Sequence, residues 1–297
     1  MTHAQTLPSD VTRLLTKALG DVRLLAVHGH TRHGDPYLWE VADEVGGRWF
    51  AKRHSKELSY LREVHAYQHA TAALPPGRVA ALHAHDADAL LVVTGAVDGT
   101  ALRHTPLTAR QRPEAYRQAG KLLRKLHDQP LPDVASPGDE RDVPWPQERE
   151  RALNLAREVG LGIEDLALLD TAMAVPPPVL PLVVCHGDFS PRNWIVDTTS
   201  GDGMLVRLID FERSQVEEAV RRDLMRIVYQ ITAHQPELRE AFFDGYGRTL
   251  TDAEQAGCRA YAAIDCPSAL RWATKHRDDE IQRYGLTMLN QLRRPAD

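Results

Sequence analysis

At 297 residues, 43% hydrophobic and 26% charged, the chain has an ordinary globular composition and enough length to bury one large core or two moderate ones. A net charge of -5 argues against general nucleic-acid binding, which needs a basic face to displace counterions. No apolar run reaches the length of a membrane span, and Met1 to Asp10 lack the basic-then-apolar order of a secretory leader, so a cytoplasmic protein with neither nucleic acid nor membrane as partner is expected. Along the chain, Val22 to Val27 and Tyr37 to Ala42 read as apolar strands, with the turn-rich stretch His28 to Asp35 between them. Gly46-Gly47 is a hairpin signal leading into the strand Arg48 to Lys52. Glu57 to Ala73 reads as a helix, with Leu58, Leu61, Val64 and Tyr67 near helical spacing. Strand-like runs at Val79 to Leu82 and Leu90 to Thr94 complete a mostly antiparallel sheet with one helix.

Gly95 to Gly99 breaks the pattern and is the expected hinge. Helices are expected over Pro113 to His127, Glu148 to Val159 and Glu164 to Ala174, until Pro176-Pro177-Pro178 and Pro181 stop the pattern. Three apolar pieces follow, Leu182 to Cys185, Trp194 to Val196 and Leu205 to Ile209, with a turn over Thr198 to Gly203. From Glu217 onward the periodicity is helical almost to the end. Cys185, Cys258 and Cys266 form no C-x-x-C pair and leave an odd count, which argues for a reducing compartment. Cys185 stands beside His186, but its place at the end of Leu182-Val183-Val184 reads as a buried strand position.

The chemistry concentrates in His186-Gly187-Asp188-Phe189-Ser190-Pro191-Arg192-Asn193, followed by Ile209-Asp210-Phe211-Glu212. One acid beside a histidine, an amide five residues on and a second acid ending an apolar run are the groups that phosphoryl transfer from a nucleotide to a hydroxyl requires. Asp188 would take or orient the hydroxyl proton. Asn193 and Asp210 are hard oxygen ligands suited to magnesium, which leaves its other positions to phosphate and water. The protein-kinase catalytic loop has the same spacing, H-R-D-x-x-x-x-N, with a D-F-G acid downstream. Gly187 replaces the arginine and Glu212 the glycine, which points away from protein kinases and towards small-molecule kinases.

With those motifs the chain resembles the aminoglycoside phosphotransferase and choline kinase superfamily, whose members carry H-G-D-x-x-x-x-N followed by D-F-E or a related triplet. The resemblance covers most of the chain, because the flanking elements fall in the expected order. It implies an α+β, two-lobed, protein-kinase-like fold. A small antiparallel-sheet lobe over residues 1–97 would bind the nucleotide, and a larger, mainly helical lobe over 98–297 would carry catalysis and the acceptor. It also implies ATP or GTP with Mg2+, and transfer to an alcohol group of a small molecule, an aminoglycoside or other antibiotic first. Lys52, after Trp49-Phe50-Ala51 on the third strand, would grip the nucleotide phosphates, with Glu63 as its ion-pair partner and Glu57 as the competitor. Gly29 and Gly34 would let backbone amides approach the nucleotide. His186 would fix the catalytic loop through backbone hydrogen bonds. Asp223, in Arg222-Asp223-Leu224, matches a family element that supports that loop from the following helix.

Several residues stay open at this level. Ser190 stands where protein kinases have a lysine, and Arg192 is an available cation nearby. Glu212 could approach a second metal, orient a ligand or pair with Arg213. His28, His30 and His33, and the pair His65 and His69, lack a recognised zinc spacing. Asp244, Asp265, Asp278, Asp279 and Glu280 could meet ammonium groups of an acceptor, and solvated helix faces explain them equally well. The runner-up function is a metabolic kinase for choline, a sugar or homoserine; an aromatic cage from Trp272, Tyr284 and Tyr246 would favour choline. A nucleotide-binding pseudokinase is opposed by the intact set Asp188, Asn193 and Asp210. A protein-kinase-like enzyme is opposed by Gly187 and by the lack of D-F-G and A-P-E.

Overall fold

Alternating side chains and two amphipathic helices explain most of the first hundred residues. The structure, a computed structural model, describes residues 6–30, 36–138, 143–199 and 203–294. In chain order it forms helix α1 (Ser9–Leu19), strands β1 (Val22–His30), β2 (Pro36–Asp43) and β3 (Arg48–Arg53), helix α2 (Glu57–His69), and strands β4 (Leu82–Asp86), β5 (Leu91–Gly95) and β6 (Thr100–Ala101). Helices α3 (Gln111–Asp128), α4 (Trp145–Glu158) and α5 (Ile163–Ala172) precede strands β7 (Leu182–Cys185), β8 (Trp194–Asp197), β9 (Leu205–Leu208) and β10 (Gln215–Glu218). Helices α6 (Pro236–Tyr246), α7 (Asp252–His276) and α8 (Asp279–Leu292) close the chain. The chain divides into two compact units, the first running to Thr105 and adding Pro132–Gly138 and Arg192–Gln215, the second holding the rest.

In the first unit the sheet order is β1-β2-β3-β5-β4, and every pairing is antiparallel. Side chains alternate between faces, so each face takes its own helix. Trp39, Val41, Ala51, Leu91 and Val93 pack with Val11, Leu14 and Leu15 of α1. Val92 packs instead with Tyr60 and Val64 of α2. Lys52 pairs with Val92 in the ladder, which puts Lys52 on the α2 face while its neighbour Ala51 joins the α1 core. Each fully buried leucine or valine here contributes roughly 1.5–3 kcal/mol. The β2–β3 hairpin closes through Gly46 at φ 87°, and Asp43 Oδ1 accepts from Gly47 N at 2.6 Å. A smaller sheet, β6-β8-β9, completes this unit.

The sequence reading differs from the structure at identifiable places. Strand β1 extends through His30, so Gly29 lies within a strand and not in a phosphate-covering turn; Gly34 lies outside the described residues. The fourth strand is Leu82–Asp86, not Val79 to Leu82, because β4 is the sheet's edge and needs only one apolar side; Val79 instead makes a parallel bridge to Leu208. Strand β10 takes Glu217 and Glu218, which the helical reading had claimed, by pairing with β7. Helix α1 is an addition, signalled by the i, i+3, i+4 spacing of Val11, Leu14 and Leu15.

In the second unit α3 and α6 approach so closely that glycine is required on both. A Cβ on Gly120 would fall on the Phe242 carbonyl oxygen, and one on Gly245 on the Arg117 carbonyl oxygen. Helix α7 starts with a capping box between Thr251 and Glu254 and continues through Pro267. Before α6 the chain runs from Val220 to Ile231 as a helix with two wide π-type stretches, Val220–Leu224 and Ile227–Ile231. Such turns are rare and cluster at functional sites.

Candidate active site

Lys52 sits at the centre of a charge cluster in the first unit. Its Nζ lies 2.6 Å from Asp210 Oδ1, 3.0 Å from Glu212 Oε2 and 3.1 Å from Glu63 Oε2. Strand β3 aims Lys52 at α2, and α2 presents Glu63, which is 3% exposed. Phe211 is fully buried, with its ring 5.6 Å from that of Tyr67 on α2. That anchor holds the two acids flanking it, Asp210 and Glu212, at the lysine. Asp210 has φ 69°, a left-handed backbone that aspartate tolerates better than most residues. Burial alone would lower the pKa of Lys52, but Glu63, Asp210 and Glu212 outweigh it and hold the ammonium well above its ordinary range.

His54 is the second cation of this cluster. It is almost fully buried, with Nε2 2.7 Å from Glu63 Oε2 and Nδ1 3.5 Å from Glu212 Oε2. Burial disfavours its charged form, yet Glu212 and Glu63 raise its pKa on balance. The hydrogen bond from His54 is the largest influence on Glu212, whose carboxyl is brought down to about 2. Burial pushes Glu63 upward, but Lys52 and His54 hold it below the usual carboxylate range. Asp210 moves the other way: burial and its two acidic neighbours raise it despite Lys52. Three carboxylates face one lysine and one histidine, a surplus of hard oxygen donors that fits a magnesium ion. Asn193, in the same unit, is buried, and its carbonyl oxygen accepts from Ile209 N at 3.2 Å, tying the start of β8 to the segment entering Asp210.

The second unit carries His186, Asp188 and Asp223, all buried. Asp223 Oδ2 accepts from His186 N at 2.9 Å and Oδ1 from Gly187 N at 3.0 Å. His127, on α3, adds a third bond to Asp223 from Nε2 at 3.2 Å, and its Nδ1 meets the Tyr246 hydroxyl at 2.9 Å. Burial would raise the pKa of Asp223, but its histidine partners and the loop amides lower it overall. Gly187 has φ 78°, so a glycine serves at this turn without strain. The Asp188 amide donates to His186 Nδ1 at 3.3 Å. Arg226, on the wide-turned helix, donates to Asp188 Oδ1 from Nη1 at 2.7 Å. Cys185 is fully buried in β7, its thiol raised well above its ordinary range by burial and by Asp223. With His127 and Asp223 it forms a cluster whose ligand atoms lie within 4.8 Å of one another, and the hydrogen bonds at Asp223 read as support of the loop.

The structure thus brings Lys52, Glu63 and Asp210 together, places Asn193 in their unit, and joins His186 to Asp223 in the other. Lys52 pairs with Glu63; Glu57 makes no ion pair with it among the described contacts. Sequence reading left Glu212 open, and its place is on Lys52 and His54. His54, His127 and Arg226 were missed. His54 stands two residues past Lys52, just beyond the end of β3, a spacing that puts both on one face and could have flagged it. Among the C-terminal acids, Asp278 caps α8 through Glu280 N and Ile281 N, and Glu280 accepts from the Tyr284 hydroxyl. Tyr246 is buried against Phe242, which removes it from any ligand cage.

Comparison with known proteins follows the same lines. The model of the phosphotransferase enzyme family matches residues 33–261. A search of curated protein sequences finds no match. Among solved structures, the streptomycin–ATP ternary complex of APH(2")-IIa is 15% identical, with 97% of each chain covered and a TM-score of 0.62. The GDP complex of aminoglycoside 2'-phosphotransferase-IIIa is 14% identical, covering 95% of this chain and 97% of that one at a TM-score of 0.63. Macrolide 2'-phosphotransferase MphH from Brachybacterium faecium is 15% identical, covering 94% of each chain at 0.55. At these identities the likeness is one of fold, and it bears out the kinase-like α+β class.

Proposed function

The chain belongs to the phosphotransferase enzyme family, and on that premise we propose that it transfers the terminal phosphoryl group of ATP or GTP to a hydroxyl of a small molecule. The observation that carries this reading is Lys52 Nζ held among Glu63, Asp210 and Glu212. Such a cluster sets three carboxylates against a lysine and a histidine, an excess of acidic oxygens suited to a metal-bound polyphosphate. In this reading residues 1–97 bind the nucleotide, while residues 98–297 supply catalysis and the acceptor site. Lys52 meets nucleotide phosphate oxygens and Glu63 keeps it oriented. Asp210 and Asn193 would hold magnesium, which when bound neutralises charge on the phosphates. Asp188 takes the proton of the acceptor hydroxyl as its oxygen bonds to the terminal phosphorus. The bond between that phosphorus and the bridging oxygen breaks, and the nucleoside diphosphate leaves with the electron pair. His186 and Asp223 keep the loop in shape for this step.

The leading acceptor class is an aminoglycoside or another antibiotic, supported by the drug-modifying enzymes that share the fold, with resistance by phosphorylation in a cytoplasmic setting as the consequence. A metabolic alcohol kinase is the second reading, favoured by the commitment of Asp278 and Glu280 to helix α8 rather than to a ligand. Mass spectrometry of streptomycin, gentamicin, kanamycin, spectinomycin, a macrolide, choline, homoserine and simple sugars, each incubated with Mg-ATP or Mg-GTP, decides between them. A phosphate gained by an antibiotic supports the first reading and by a metabolite the second. Binding of nucleotide with transfer to nothing, water included, would contradict both and favour a regulator.

A further inference from the structure

Asp188 needs more than a backbone anchor. Its amide is fixed by His186 Nδ1, and the orientation of its carboxylate is set by rotation about two further side-chain bonds. Arg226 supplies a grip at the side chain itself, through the 2.7 Å bond from Nη1 to Oδ1. Both partners are largely enclosed, at 13% and 4% side-chain exposure, so this is a desolvated charge pair and not a surface contact. Arg226 interrupts a buried apolar run, with Leu224, Met225 and Ile227 fully buried around it. Its Nε–H is buried and makes no hydrogen bond among the described residues, a cost to folding that points to a role other than stability. It also follows Asp223 by three residues on the wide-turned helix, and Asp223 fixes the amides of His186 and Gly187.

We propose that Arg226 is a positioning residue for phosphoryl transfer: its guanidinium sets the side-chain orientation of Asp188, while Asp223, three residues before it on the same helix, sets the backbone of the loop. The proposal rests on the phosphotransferase reading above. Asp223 and Arg226 then act as a two-point clamp, one on main chain and one on side chain. Loss of the second point leaves the loop folded and the base misdirected.

The test compares the unaltered protein with Arg226→Met, Arg226→Lys, Arg226→Ala and Asp188→Asn. Phosphate released from Mg-ATP to water is the reaction followed, with Mg-ADP affinity and thermal unfolding measured beside it. Arg226→Met is expected to lower kcat about 10- to 100-fold, the size of effect that misplacing a catalytic group produces, with KM for ATP changed by less than about 2-fold. Arg226→Lys retains part of the lost rate, and added guanidinium restores part of it to Arg226→Ala but not to Asp188→Asn. A wild-type kcat in Arg226→Met beside an inactive Asp188→Asn overturns the role of Arg226 alone. A loss of kcat matched by loss of Mg-ADP affinity and melting temperature, with no rescue by lysine or guanidinium, makes Arg226 structural and also overturns it. No phosphate release by the unaltered protein, or full release by Asp188→Asn, overturns the phosphotransferase reading and the proposal with it.

Discussion

Replacing Asp223 by asparagine exchanges one carboxylate oxygen for an NH2 and breaks the hub that holds the His186–Gly187 turn. The carboxylate accepts three hydrogen bonds, from His186 N at 2.9 Å, Gly187 N at 3.0 Å and His127 Nε2 at 3.2 Å, and it is wholly buried. Asparagine keeps one acceptor oxygen and turns an NH2 towards one of those donors. Bonds to a charged acceptor contribute about 1.5–3 kcal/mol each, a neutral one about 0.5–1.5, and one buried amide left without a partner costs about 1–3. The loss therefore comes to roughly 4–9 kcal/mol on folding. Because the folded pKa of Asp223 lies below its ordinary 3.8, its contribution is complete above the unfolded value and is lost only as pH falls through the folded one. The destabilisation measured by urea unfolding is thus flat between about pH 5 and pH 8. A loss under about 1 kcal/mol, or one that vanishes at pH 6, would refute the reasoning.

Three further perturbations test other parts. Lys52→Met weakens Mg-ADP binding by about 10- to 100-fold in a fluorescence titration, the range set by one charge-assisted phosphate contact; unchanged affinity would remove Lys52 from the nucleotide site. Glu212→Gln lowers stability at pH 7, and the gap to the unaltered protein closes as pH falls from the ordinary 4.5 towards about 2, since the depressed carboxyl stabilises only while ionised; a gap that widens on acidification would contradict the pairing with His54. Gly120→Ala drives a methyl into the Phe242 carbonyl oxygen and is expected to cost about 1–3 kcal/mol or more, read by urea unfolding; a neutral effect would mean that α3 and α6 separate freely.

The candidate motif stood out because the chemistry it would serve fixes residue types at short spacing: His186, Asp188 and Asn193 span eight positions, and Asp210 ends an apolar strand. Lys52 was legible through strand alternation, and Glu63 through helical reach. His54 was lost among fourteen histidines, because its meaning comes from Glu63 and Glu212, which only folding brings to it. Arg226 was lost for the same reason: nothing local distinguishes an arginine that crosses to Asp188, thirty-eight positions earlier. Strand β4 was displaced by three residues because an edge strand carries polar side chains such as His83 and His85, and apolar content alone favoured Val79 to Leu82. Gly29 was read as turn because glycine is permissive, whereas the ladder to β2 continues past it to His30. The acceptor was not legible, since it is recognised by surfaces and not by a motif.

The most direct test of the central claim follows label from [γ-32P]ATP into the acceptor panel, with the unaltered protein and Asp188→Asn side by side and Mg-ADP affinity measured for both. The account predicts that label moves to one hydroxyl-bearing compound, that Asp188→Asn slows the transfer by about 10²- to 10⁴-fold, and that nucleotide affinity stays the same. Transfer at full rate without the Asp188 carboxylate, or a protein that binds nucleotide and labels none of the panel, would contradict it.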